Sequence, residues 1–300
     1  MQAISENTRG ALLMTLSMAA FTLNDTCFKL VGKTLPLGQV LFLRGVMASL
    51  FLLLLARFFG VRWPNLSRKD TVLIAVRSFA EVGAAFFFLT ALMNMPLANL
   101  TALLQMLPLT VTLGSALFFR EAVGWRRWGA IAVGFCGMLL IVKPGAEGFN
   151  LFSVYGLIAV AFVTLRDLTV RRISASVPSL FVTIAASVSV TVFAALLGVQ
   201  EDWLAMSGRE WALIGATAAF ICVGYFLSVL VMRVGEVSHV APFRYTGLVW
   251  ALILGFVVFG DWPGNLTLIG AAIIVATGVF TMWREAQVRR RLRKIQAAGL

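Results

Sequence analysis

Two stretches of this 300-residue chain place an acid and a base four residues apart inside apolar sequence: Asp25 and Lys29 in FTLNDTCFKL, and Asp167 and Arg171 in VTLRDLTVRR. That spacing puts both side chains on one helix face, where they can neutralise each other. Both are read as gating or structural ion pairs. Arg77 and Glu81 share the spacing, while Arg44 and Arg244 interrupt apolar runs without an acid beside them. A charge in hydrocarbon costs from about 2.5 kcal/mol upward, so such residues pair or line a wet cavity. The chemistry indicated is recognition of a charged solute. Bond making is not indicated, because the carboxylates already have basic neighbours and no phosphate-binding glycine loop occurs. His239 is the single histidine and opens the ninth apolar run, so a two-histidine zinc motif is excluded. Cys27, Cys136 and Cys222 lie within apolar runs and lack ligand spacing. No metal and no cofactor are expected.

The elements that must position these residues follow from composition. The chain is 60% hydrophobic and 13% charged, with mean hydropathy +0.92, against roughly 25% charged residues in globular proteins. Ten runs approach the roughly 20 apolar residues that a spanning helix needs: 10–30, 36–58, 71–93, 97–119, 126–143, 151–170, 178–198, 210–232, 240–260 and 264–283. None alternates with period two, which excludes a barrel. The opening MQAISENTRG lacks the pattern of a removable signal peptide, so the first span is expected to stay. The net charge of +12 would suggest nucleic acid in a soluble protein. Here the bases fall between apolar runs, and no nucleic-acid partner is expected.

With both termini cytoplasmic, 17 of the Lys and Arg residues lie on the inner side and only Lys33, Lys143 and Arg209 on the outer. That is the bias of a multi-pass protein with an even number of spans. A bacterial-type inner membrane is the expected location. Residues 284–300 read as a basic cytoplasmic tail able to touch anionic lipid.

The chain also repeats itself. Thr22, Leu23, Asp25 and Lys29 fall on Thr164, Leu165, Asp167 and Arg171, and Glu121 with Gly124 falls on Asp261 with Gly264. Residues 1–145 and 146–283 therefore read as two five-helix repeats. Five is odd, so the second copy enters from the opposite face, giving inverted repeats. The expected fold is an all-α integral membrane protein of ten transmembrane helices.

The segments FFREAVGWRRWGAIAVGFCGMLLIVKPG (118–145) and VFGDWPGNLTLIGAAIIVATGVFTMWRE (258–285) resemble the two repeat endings of EamA-type members of the drug/metabolite transporter superfamily. The resemblance covers essentially the whole chain, with Asp261 where the family usually has Glu. It implies alternating-access transport of a small metabolite through a cavity between the repeats.

Residues that break the repeat are the best candidates for substrate recognition, because a symmetric scaffold does not require them. Arg77 and Glu81 face Ala216 and Phe220 in the second copy, Arg44 has no basic counterpart, and Arg244 matches Gln105. With Asn24, Tyr245 and Trp250 these form the candidate substrate site. Glu81 is the candidate proton carrier, which makes protons a possible coupling partner. Lys29, Arg44, Arg77, Arg166 and Arg244 outnumber Asp25, Glu81 and Asp167 by two, which favours an organic anion or zwitterion. Other readings are an exporter of amino acids or of drug-like or cationic compounds, a passive channel or receptor, and a membrane-embedded enzyme.

Overall fold

An α-helix satisfies its own N–H and C=O groups within one apolar segment, as a chain surrounded by lipid requires. The computed structural model describes residues 6–297 apart from 62, 122, 145–149 and 235–239. Ten of its helical stretches are long and apolar enough to cross a membrane, and no strand occurs among the described residues. The helices are α1 (Glu6–Val31), α2 (Leu37–Phe58), α3 (Arg68–Asn94), α4 (Leu97–Leu104), α5 (Leu107–Phe119), α6 (Trp125–Val142), α7 (Leu151–Val170), α8 (Ser179–Gly198), α9 (Gly208–Val234), α10 (Thr246–Phe259) and α11 (Asn265–Ala297). The basic segment expected as a separate tail continues the helix of the tenth span through Ala297.

Two spans are interrupted, at matching places. Pro108 has no N–H to offer the Leu104 carbonyl, so the fourth span tightens at Gln105 and Met106, where Met106 N–H donates to the Leu103 carbonyl at 3.1 Å. It resumes as α5 at Leu107. The ninth span carries the 3-10 turn Ala241–Tyr245, with Pro242 inside it, and resumes as α10 at Thr246, 139 residues after Leu107. Both helices then stop on left-handed residues, Arg120 (φ 53°) and Gly260 (φ 70°). Glu121 N–H returns to the Ser115 carbonyl at 3.4 Å and Asp261 N–H to that of Gly255 at 3.0 Å, a Schellman-type closure in each copy.

Packing follows the same symmetry. Helix α1 lies on α9 as α7 lies on α3, α1 meets α10 as α7 meets α5, and α9 meets α2 as α3 meets α8; α2 with α8 and α6 with α11 complete the set. Exchanging the two repeats maps these pairs onto one another. Side chains repeat the pattern: Phe162 rests on Gly83 and Phe21 on Gly224. Trp63 meets the Phe181 edge at 5.3 Å, and Trp203 meets that of Phe42 at 5.6 Å. With five spans per copy, the pairs describe inverted repeats. Each helix finds its main partner in the other copy, so the repeats interlock. Helices α6 and α11 cross where Gly137 and Gly270 expose their backbones to each other, a close approach that small residues permit.

Candidate functional site

The structure corrects the first reading of the duplicated acid and base. Lys29 does not pair with Asp25. Its Nζ donates to the carbonyls of Leu92 (2.8 Å) and Met95 (2.5 Å), at the end of α3 where carbonyls lack helical donors and the helix dipole favours a cation. Nor does Arg171 pair with Asp167: its Nη1 donates to Ser115 Oγ at 3.0 Å. The bases at this level share another job. Lys29 and Lys33 lie 5.5 and 5.1 Å from the Phe259 ring centre, and Arg172 lies 4.0 Å from that of Phe119. Phe119 and Phe259 end α5 and α10, so the end of each repeat's first span, with the turn after it, lays cations on the terminal ring of the other repeat's interrupted span.

The two aspartates are held instead by the residues before them. Asn24 Nδ2 donates to Asp25 Oδ1 at 2.8 Å, and Arg166 Nε donates to Asp167 Oδ1 at 2.9 Å. Arg166 also reaches Glu81 on α3, Nη1 to Oε1 at 3.3 Å. Glu81 receives Arg77 as well, Nη2 to Oε2 at 3.6 Å, as the i, i+4 spacing suggests, and Arg77 Nη1 donates to the Val182 carbonyl of α8 at 3.3 Å. A chain Arg77–Glu81–Arg166–Asp167 thus ties α3 to α7, one helix from each repeat. Arg44 on α2 joins this group at longer range, within electrostatic reach of Asp25 and Glu81 and near Tyr225 and Cys222. Three arginines stand against three carboxylates. The expected positive excess is absent from this cluster, because Lys29 is turned to α3 and Arg244 is exposed on the 3-10 turn with no contact to Glu81.

The charges remain partly accessible. Side-chain exposure is 18% at Glu81 and 31% at Asp167, and Tyr225 is 42% exposed although the charges of Glu81, Arg166, Arg44 and Arg77 all act on it. Glu81, Asp167 and Tyr225, on α3, α7 and α9, are therefore not sealed within the packed helices. Aromatic pairs join the same helices and α1: Phe21 of α1 meets Tyr225 of α9 edge to face at 5.4 Å, and Phe87 of α3 stacks on Phe162 of α7 at 5.7 Å. The sequence reading missed Tyr225. The signal was available, because residue 84, its mate in the spacing that pairs Gly83 with Gly224, is alanine, so this ring also breaks the repeat.

The remaining candidates scatter. Asn24 joins the cluster and is buried, with Oδ1 unpartnered. Gln105 caps α4 at the break and lies near Gly247 of α10. Tyr245 packs its hydroxyl against Gly278 and, like Trp250 Nε1, leaves a buried polar atom without a partner. Tyr245 lines a different cavity of about 650 Å³, bounded by α4, the 3-10 turn, α10 and α11, with Ala98, Ala102, Leu252 and Ala271 in its wall and no charged residue. His239 lies outside the described residues.

Comparison with known proteins agrees with this architecture. The chain is 26% identical to an S-adenosylmethionine uptake transporter of Rickettsia conorii over 94% of its length and 95% of that protein's. It is 28% identical to a riboflavin transporter of Vibrio cholerae, covering 94% and 96%, and 28% identical to the pseudopaline exporter CntI of Pseudomonas aeruginosa, covering 89% and 93%. A solved crystal structure superposes with a TM-score of 0.63 at 20% identity, over 95% of this chain and 99% of its own, which shows a shared fold. The EamA-like transporter family model matches residues 8–143 and again 151–283. Two matches, one on each repeat of a ten-span helical fold, make this chain a member of the EamA-like transporter family.

Proposed function

We propose that the chain is a secondary carrier that moves a small polar metabolite, an organic anion or zwitterion, by alternating access through the space around Glu81. The observation that supports this most is the six-charge cluster drawn from both repeats and left partly accessible within apolar spans. Charge inside a membrane protein is costly unless it is paired or hydrated, and where it occurs it commonly marks a path for a polar cargo. An interface between inverted repeats is where such a path can open alternately to either face. The cargoes named for the relatives, S-adenosylmethionine, riboflavin and pseudopaline, are small molecules, which supports the scale of the cargo. The charge bias of the loops supports cytoplasmic termini in an inner membrane.

Coupling to protons through Glu81 belongs to the same proposal, with a stated requirement. Two guanidiniums hold this carboxylate, so the coupling step in this proposal is the movement of Arg77 and Arg166 away from Glu81 toward the cargo. The test is counterflow into proteoliposomes preloaded with amino acids, dicarboxylates, S-adenosylmethionine or riboflavin. The expected result is saturable, voltage-independent exchange of at least one of these, reduced about tenfold or more by Arg77→Ala, as loss of about 1.4 kcal/mol of binding implies. Exchange that never saturates makes the protein a channel. Exchange unchanged in Arg77→Ala removes the cluster from the path.

A further inference from the structure

The network around Glu81 is closed, whereas two charges beside it are not. Glu81 accepts from two arginines, Arg166 also holds Asp167, and Arg77 reaches the Val182 carbonyl. Arg44 has no hydrogen bond or ion pair among the described residues. Its guanidinium lies 5.4 Å from the Phe28 ring centre, a contact that uses none of its N–H donors. Asp25 receives one bond, from Asn24, and keeps acceptor capacity. Asn24 Oδ1 is buried without a partner. Arg44 and Asp25 act on each other electrostatically yet form no ion pair.

We propose that Arg44 and the Asn24–Asp25 pair form the head-group site for a zwitterion of the α-amino-acid type. Its carboxylate lies on the Arg44 guanidinium, and its ammonium is shared by Asp25 and Asn24 Oδ1. This rests on the carrier reading above and narrows its cargo. Arg44 lies over Phe28, one turn along α1 from Asn24, so free donors stand near free acceptors and the matching ligand carries an acceptor at one end and a donor at the other. Charge count points the same way. Three arginines and three carboxylates balance, and a zwitterion preserves the balance, whereas a simple anion on Arg44 sets a second negative charge near Asp25.

The second repeat supports the assignment. There Arg166 takes the place of Asn24 and donates to both Asp167 and Glu81, so the protein supplies its own cation. Asp25 is the copy left open. Phe21, one turn before Asp25, meets Tyr225 edge to face at 5.4 Å and offers the ligand's side chain an apolar wall. Cys222 is half-buried and within electrostatic reach of Arg44, which makes it a reporter.

The experiment measures the alkylation rate of Cys222 by a small maleimide in purified full-length protein carrying Cys27→Ser and Cys136→Ser. Glycine, the other standard L-amino acids, the N-acetyl and methyl-ester forms of each, and succinate are compared at equal concentration. The expected result is several-fold slowing by at least one free amino acid and none by its N-acetyl or ester form. Arg44→Gln and Asp25→Asn, each confirmed folded by an unchanged elution profile and helical signal, should abolish the protection. Equal protection by the N-acetyl form, or protection that survives Arg44→Gln, overturns the assignment. If succinate protects and no amino acid does, the carrier reading stands and this inference fails. If no solute slows the reaction, both fail.

Discussion

At the scale of single residues, burial and competition for partners decide what each charge does. Lys29 is 7% exposed and bonded to two carbonyls at the end of α3, so Lys29→Met is expected to cost about 2 kcal/mol, the range for hydrogen bonds to a charged group. Asp25→Asn should change stability by less than about 0.5 kcal/mol, because it removes no ion pair. Thermal or denaturant midpoints of the two variants check this, and equal losses would restore the Asp25–Lys29 pairing. Glu81 has two arginine partners and Arg77 one carboxylate partner. Glu81→Gln should therefore destabilise by about 3 kcal/mol, as when a buried pair loses one member, and clearly more than Arg77→Gln. The reverse order would contradict the bridging role of Arg166. Sequence spacing revealed the Arg77–Glu81 contact, because both lie on one helix. It misassigned Lys29 and Arg171, whose partners Leu92, Met95 and Ser115 lie 56 to 66 residues away and are brought near only by helix packing.

Among the elements, the spans were legible because each is a long apolar run bounded by turn residues, and their ends differ from the helices by a few residues, except that the helix of the tenth span runs on to Ala297. The repeat was legible from TLND and TLRD. Less visible was the interruption of the fourth and ninth spans, for which Pro108 and Pro242 were the only cues, and the pairing of α6 with α11, which depends on two glycines among many. A Cβ on Gly137 would meet the Gly270 carbonyl oxygen at 2.8 Å, whereas one on Gly129 of the same helix meets nothing within 4 Å. Gly137→Leu should cost about 1–3 kcal/mol or more through overpacking, and Gly129→Leu should be nearly neutral. Melting temperatures of the two variants measured side by side check this, and equal tolerance would mean that α6 and α11 are not in close contact.

For the whole molecule, the interlocking of the repeats links fold to function. Because α1 packs on α9 and α7 on α3, the charged cluster is built by both copies, and in the proposed mechanism rocking one group of helices against the other exposes it to each face in turn. Net charge and loop bias were readable from sequence, but the balance of charge at the centre was not, since it depended on which bases turn away. The account's central claim is that this centre is wet and reachable alternately from both sides. Cys222, beside Arg44, tests it in protein lacking Cys27 and Cys136, with a membrane-impermeant charged thiol reagent applied to right-side-out and to inverted vesicles. The account predicts modification of Cys222 in both orientations, and slowing in both by any solute that the protein carries. Modification from one side only, or from neither, would contradict alternating access through this site.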